Sequence, residues 1–120
     1  MFQLGFLADA EATVLCVGAH CDDVEIGCGA TLVRLAREYP RLRFEWAVFS
    51  GDETRQAETR AAARALLGDD RCRVRFMGFR ESYFPARFPD VKDAFESLKP
   101  IAPALVLTHR LEDRHQDHAL

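Results

Sequence analysis

Four short apolar runs alternate with helical segments, and this alternation constrains the fold more than any other feature of the chain. The predicted strands are Thr13–Ala19, Phe44–Phe49, Val74–Phe79 and Ala104–Thr108. The predicted helices are Gly27–Tyr39, stopped by Pro40, then Thr54–Leu67, with Thr54 as its cap and Gly68 at its end, and Asp90–Leu98. Strands that alternate with helices predict an α/β fold, a parallel sheet with helices on both faces.

Length, charge and cysteine usage narrow the class of protein. The 120 residues are expected to form one domain, and the mixed charges, with a net charge of −3, do not favour nucleic acid as a partner. The four cysteines form no CxxC pair, which favours reduced thiols. The segment Met1–Ala12 has acidic but no basic residues, and no apolar run is long enough to span a membrane. We therefore expect a cytoplasmic protein without a signal peptide.

Two clusters of imidazole and carboxylate side chains follow the first and the last predicted strand. The first is His20-Cys21-Asp22-Asp23, and the second is His115-Gln116-Asp117-His118. Ligands of open α/β sheets bind beyond the carboxyl ends of the strands, and strands one and four can be neighbours where the strand order reverses. The sequence therefore predicts that the two clusters form one site, although about ninety residues separate them. His109 ends the strand that leads to the second cluster.

The residue types in these clusters suit metal-assisted hydrolysis of an amide. His20, Asp23 and His118 can bind Zn²⁺ and leave a fourth position open, which is the pattern of catalytic zinc. Asp22, beside a ligand, is the candidate general base. His115 can stabilise an oxyanion or protonate a leaving amine, and Asp117 can orient it.

Several other interpretations of the same residues stay open. Each cluster alone is also typical of a helix cap, a turn or a solvated loop. Residues 27–31 can cradle a phosphate, but close helix–strand packing is preferred because the GxGxxG spacing is missing. Cys21 can be a soft metal ligand, although a small loop residue is the preferred interpretation. Arg55, Glu58 and Arg60 favour a solvated helix face, and the loop from Arg80 to Arg87 can contact substrate or simply pack.

Both clusters lie in longer motifs that resemble a known family. Residues 18–32 read GAHCDDVEIGCGATL, and residues 108–118 read THRLEDRHQDH. The two stretches resemble the motifs of the LmbE-like, or PIG-L-like, zinc-dependent N-acetylglucosaminyl deacetylases, whose first signature is Ala-His-Pro-Asp-Asp-x-Glu before a Gly-rich helix start. Cys21 stands where that family usually has Pro, and Ala30 where a second Gly is common.

The resemblance carries expectations about fold, site and substrate. It implies a Rossmann-like fold, zinc bound by His20, Asp23 and His118, Asp22 as general base, and His115 as the oxyanion-stabilising acid supported by Asp117. It also implies a small N-acetylated substrate, such as an amino sugar conjugate, and a possible homo-oligomer. Family members continue well beyond the second motif, so we expect the chain to be the N-terminal portion of such a domain, incomplete at its C-terminus.

Two rival functions remain at this point. The chain can be a structural or binding remnant of such an enzyme that turns nothing over. Alternatively, two histidines and one carboxylate are also the ligands of non-haem Fe(II) oxygenases, which the alternation of strands and helices disfavours.

Overall fold

The computed structural model describes residues 4–8 and 11–120 and contains a four-stranded parallel sheet. The strands are β1 (Thr13–Gly18), β2 (Arg43–Ser50), β3 (Cys72–Phe79) and β4 (Leu105–Leu107), and their order across the sheet is β3-β2-β1-β4. This confirms the predicted parallel α/β fold, consistent with a Rossmann-like arrangement. Residues 1–3 and 9–10, which belong to the segment considered above for a targeting signal, lie outside the described residues.

Helices connect the strands and pack on the two faces of the sheet. They are α1 (Asp23–Glu38), α2 (Glu53–Leu67), α3 (Phe88–Glu96) and α4 (Gln116–Ala119), with 3-10 turns at Gly5–Ala8, Phe84–Arg87 and Lys99–Ile101. None of the helices in the described ranges is both long and apolar enough to cross a membrane.

The alternation of side chains along β1 divides the core into two clusters. Val14 and Cys16 pack with residues of α1 and α2 on one face, around Trp46, whereas Leu15 and Val17 pack toward α3 on the other. All of β1 after Thr13 is buried, as predicted for a strand covered on both faces. The four cysteines are free thiols.

The starts of helices α1 and α2 differ from the sequence-based prediction, and both differences involve an aspartate. Helix α1 begins at Asp23, earlier than the predicted Gly27, because the turn after β1 leads directly into it. Helix α2 is capped by Asp52, whose Oδ1 accepts a hydrogen bond of 2.9 Å from the N–H of Arg55, and not by the predicted Thr54. Gly68 ends α2 with φ of +82°, as predicted.

The third helix also starts earlier than predicted. Phe84–Arg87 forms a 3-10 turn, and α3 then begins at Phe88 with a proline in its first turn, where proline fits best. The prediction placed the start at Asp90. The difference matters for the site, because the segment between β3 and α3, which contains this 3-10 turn, supplies two main-chain donors to the second cluster.

The sheet brings the two predicted clusters to one edge. Strand β1 pairs with β4 in parallel register, with Cys16 opposite Leu107. The first cluster follows β1 and the second lies in the segment after β4, so both lie beyond the carboxyl ends of neighbouring strands. The predicted adjacency of strands one and four is confirmed.

Candidate metal centre

The first cluster occupies a tight turn between β1 and α1. The N–H of His20 donates to Asp23 Oδ2 over 2.8 Å, and the N–H of Asp23 donates back to the His20 carbonyl over 3.3 Å. Asp22, between them, adopts the left-handed conformation with φ of 79°. A Cβ on Gly18 would lie 3.1 Å from Asp23 Cβ, so glycine gives the turn room to fold back on the strand. These local contacts place the side chains of His20 and Asp23 side by side.

Ala19, directly before this turn, is held from both sides by side chains of the neighbouring strands. Its N–H donates to His109 Nε2 over 3.0 Å, and its carbonyl accepts from Ser50 Oγ over 2.8 Å. The ends of β4 and β2 thereby fix the main chain from which His20 projects.

The second cluster is anchored by the carboxylate of Asp117, which is 4% exposed. Its Oδ2 lies 2.8 Å from His20 Nε2 and accepts from the N–H of Ser82 over 2.6 Å, while Oδ1 accepts from the N–H of Phe84 over 3.2 Å. Burial by itself would raise the pKa of Asp117, but these three bonds together outweigh it and hold that pKa below its usual value. Asp117 is therefore an ionised acceptor that ties α4 to His20 and to the turn after β3.

Three donor atoms converge where the two clusters meet. His20 Nδ1 lies 3.1 Å from His118 Nε2 and 3.6 Å from Asp23 Oδ2, and His118 Nε2 lies 3.3 Å from Asp23 Oδ2. Ligand atoms bound at about 2.0–2.1 Å in a tetrahedron lie about 3.3 Å apart. The spacing of the three atoms therefore fits the edges of a zinc site.

Each of the two imidazoles has a carboxylate on the nitrogen that faces away from this centre. Asp117 contacts His20 Nε2, and Asp113 Oδ2 lies 3.1 Å from His118 Nδ1. The N–H of His115 and the ring of His118 hold the pKa of Asp113 below its usual value. Because an ionised carboxylate only accepts hydrogen bonds, the two rings carry their protons toward Asp117 and Asp113. Two lone pairs then face one another across 3.1 Å, an arrangement that a cation between them stabilises.

The side chains of His109 and His115 also lie close enough to the centre to compete as ligands. Donor atoms of His20, His115 and His118 fall within 4.8 Å of one another, and so do those of Asp23, His109 and His118. His115 Nδ1 already accepts from the N–H of Asp117 over 3.2 Å, and His109 Nε2 from the N–H of Ala19. The atoms of the predicted set, His20 Nδ1, Asp23 Oδ2 and His118 Nε2, face the shared centre.

The remaining predicted site residues lie around this centre. Asp22 is half exposed, and its Oδ2 lies 3.4 Å from the guanidinium of Arg55. The ring of His115 stands edge-on to His20, with centroids 4.6 Å apart. The expected partner of His115 was the Asp117 carboxylate; in the structure that carboxylate contacts His20, and the Asp117 main chain contacts His115. Cys21 is buried, with Sγ 3.5 Å from the Ser50 carbonyl.

Several residues that shape the site are not among those predicted from the sequence. Asp113 supports His118, and Arg55, interpreted as part of a solvated face, contacts both Asp22 and Glu81. The main-chain donors of Ser82 and Phe84 carry no signal in side-chain chemistry. Asp113 could have been found, because it lies in the same motif and a second carboxylate near a histidine ligand is a common pattern.

An apolar pocket of about 200 Å³ opens beside His118. Its apolar walls include Val17, Phe49, Phe84, Val91, Phe95 and Leu111. The centre thus has a polar side at the turn after β1 and an apolar side toward α3.

Comparison with known proteins agrees with these features. Residues 15–120 match the PIG-L family model, described as GlcNAc-PI de-N-acetylase. The chain is also 30% identical over 122 residues to the uncharacterized deacetylase YaiS of Escherichia coli (strain K12). That alignment takes in 92% of this chain and 64% of YaiS, so the chain spans less than two thirds of that relative's length. Since the family model covers both histidine–aspartate clusters and most of the chain, the chain belongs to the PIG-L family.

Proposed function

We propose that this protein is a zinc-dependent hydrolase that removes an N-acetyl group from an amino sugar or a related amide. The observation that carries the proposal is the convergence of His20 Nδ1, Asp23 Oδ2 and His118 Nε2 within 3.1–3.6 Å, with a carboxylate behind each imidazole. Membership of a family described as GlcNAc-PI de-N-acetylases and similarity to a deacetylase support the reaction class.

Two imidazoles and one carboxylate would hold the ion. Neutral nitrogen donors and a single anionic oxygen leave a divalent cation with a net positive charge, which favours hydrolytic chemistry over a purely structural site. When bound, zinc supplies a Lewis acid that polarises a carbonyl and lowers the pKa of water. Asp117 and Asp113 would keep both rings in the tautomer that such a site needs.

Asp22 is the group best placed to accept a proton from the attacking water. It is adjacent to Asp23 in the chain, yet its carboxylate points toward Arg55 and solvent, with half of its side chain exposed. A base must reach water without occupying the position of a ligand, and Asp22 is assigned this role because it adjoins the proposed ligand Asp23 and lies outside the three converging atoms. The guanidinium of Arg55 orients this carboxylate at the rim of the site.

His115 is assigned two roles: stabilising the carbonyl oxygen of the amide and protonating its nitrogen. Its Nδ1 accepts from the N–H of Asp117, so in the neutral ring Nε2 carries the proton. An Nε2–H can donate a hydrogen bond to the carbonyl oxygen as charge develops on it. To protonate the departing amine, the ring must first be an imidazolium, with a second proton on Nδ1 in place of the hydrogen bond from Asp117, and it then returns to the neutral form. The pocket beside His118 gives space on the other side of the centre.

Acetate release tests the proposal. The purified protein is stripped with a chelator, reloaded with one equivalent of Zn²⁺ and incubated with N-acetylglucosamine conjugates, and acetate and free amine are measured together. We expect acetate and amine in equal amounts, only in the reloaded sample. Stoichiometric zinc binding without release from any N-acetylated amine would favour the alternative of a binding remnant. Failure to bind zinc at all would refute the proposal.

A further inference from the structure

His109 lies just beyond β4 and makes contacts that the proposed chemistry does not use. Its Nε2 lies 3.0 Å from the main-chain nitrogen of Ala19 and 3.3 Å from Asp23 Oδ2. Its ring stacks flat on the ring of His118, with centroids 3.8 Å apart and an angle of 7° between the planes. One half-buried side chain therefore touches the main chain before His20 and also two members of the proposed ligand set.

The contact with Ala19 replaces a missing hydrogen bond of the sheet. The pairing of β1 with β4 ends at Cys16 and Leu107, so Ala19 lies past the last paired residue. Its buried N–H still requires an acceptor, and the imidazole of His109 takes the place of a β4 carbonyl. The turn between β1 and α1 is thus joined to the end of β4 through the side chain of His109.

The stacking contact of His109 positions the ring of His118, which belongs to the second cluster. His118 lies in α4, a helix of four residues, which by itself holds its side chains only loosely. The flat face of His109 on one side and the contact of His118 Nδ1 with Asp113 fix the ring, so that Nε2 points to the shared centre.

The same geometry argues that His109 is not a ligand. A nitrogen that accepts from the N–H of Ala19 has its lone pair engaged and cannot bind a cation with it at the same time.

We propose that His109 is a positioning residue that joins the two halves of the site, fixing the main chain before His20 through its Nε2 and the ring of His118 through stacking. The inference rests on the proposed function, because it concerns the same metal centre. It assigns a role to a histidine that lies outside both clusters.

Cobalt binding tests this role without the reaction, because Co²⁺ in such a site has an absorption spectrum that reports its ligands. Co²⁺ is titrated into the metal-free wild type and into H109A, H109Q and H109F. H109Q keeps an acceptor but loses the flat ring, and H109F keeps the ring but loses the acceptor. We expect H109A to bind Co²⁺ about 10–100-fold more weakly than wild type. The other two variants should fall between, with the spectrum of bound Co²⁺ unchanged in all.

Controls separate this role from general damage and from failure of the proposed function. T108A, at the exposed neighbouring position, should keep wild-type affinity, and circular dichroism should show that the metal-free variants remain folded. Wild-type affinity in H109A, or an affinity loss that only parallels unfolding in all three variants, would overturn the inference while the proposed function stands. A changed spectrum in H109A would make His109 a ligand and also overturn it. If the wild type itself binds no Co²⁺ or Zn²⁺, the proposed function fails and the inference with it.

Discussion

The two halves of the candidate site are held in place by different kinds of contact. In the first half, His20 and Asp23 bond to each other across three residues, within one turn between a strand and a helix. In the second half, Asp117 bonds to Ser82, Phe84 and His20, which are distant in sequence. The hydrogen bonds between His20 and Asp23 are therefore local, although Ser50 and His109 hold the main chain before them, whereas the second half depends on the tertiary fold throughout. Substitutions in the first half should therefore affect turnover and metal binding, whereas substitutions in the second half should also affect the stability of the fold.

The largest effect is expected from the base in the first half. Asp22→Asn keeps the size of the side chain but cannot accept a proton, so turnover should fall ~10²–10⁴-fold with zinc retained. Asp23→Asn is the matched comparison, because a neutral amide is a poor ligand and zinc itself should be lost. Zinc content and acetate release are measured on both variants. If Asp22→Asn loses the metal and Asp23→Asn keeps it, the two roles are exchanged.

A smaller effect, directed at assembly, is expected in the second half. In Asp117→Asn the new amide nitrogen faces either the N–H of Phe84 or both the N–H of Ser82 and the ring of His20, so at least one donor is left without a partner. Zinc affinity should fall about 10–100-fold. The free energy of unfolding should fall by about 1–3 kcal/mol. Zinc titration and urea denaturation measure these two quantities.

Asp113→Asn provides the control for that experiment. Asp113 also supports a proposed ligand, but its side chain is 34% exposed and water can replace the lost contact. Asp113→Asn should lower both the zinc affinity and the free energy of unfolding by less than Asp117→Asn does. Equal losses in the two variants would contradict the view that burial of Asp117 makes the second half dependent on the fold.

The smallest effect on the site is expected from substitution of Gly51, which lies next to Cys21 of the first half. Its φ is +134°, and a Cβ there would lie 2.4 Å from Cys21 Sγ. Gly51→Ala should lower the free energy of unfolding by about 1–3 kcal/mol and change zinc affinity only a few-fold. Gly68→Ala, with φ of +82° and open space around the new methyl group, should cost roughly 1 kcal/mol and leave zinc affinity unchanged. A zinc loss for Gly51→Ala as large as that for Asp117→Asn would show that the first half depends on the surrounding fold as strongly as the second half does.

The same difference between local and tertiary contacts explains which features could be predicted from the sequence. The order of strands and helices follows from hydrophobic periodicity, and the meeting of the two clusters follows from the rule that parallel strands place their carboxyl ends together. The start of α2 was predicted at the wrong cap because Asp52 and Thr54 are both good capping residues, and only the geometry of the turn after β2 selects between them.

Contacts made through the main chain or across the fold could not be predicted in this way. The N–H groups of Ser82 and Phe84 carry no side-chain signature, and their meeting with Asp117 depends on how the 3-10 turn at Phe84–Arg87 packs. The expected pairing of Asp117 with His115 followed their closeness in sequence. The structure instead directs that carboxylate to His20, 97 positions away.

X-ray absorption spectroscopy of the zinc-loaded protein tests the central claim most directly, because it reports the atoms around the metal whether or not the protein is active. Binding through His20, Asp23 and His118 predicts one zinc per chain, nitrogen and oxygen neighbours at about 2.0–2.1 Å, and the multiple-scattering pattern of two imidazoles. In His118→Ala that pattern should fall to one imidazole. A sulfur neighbour at about 2.3 Å, which would place Cys21 on the metal, or an unchanged spectrum in His118→Ala, would contradict the account.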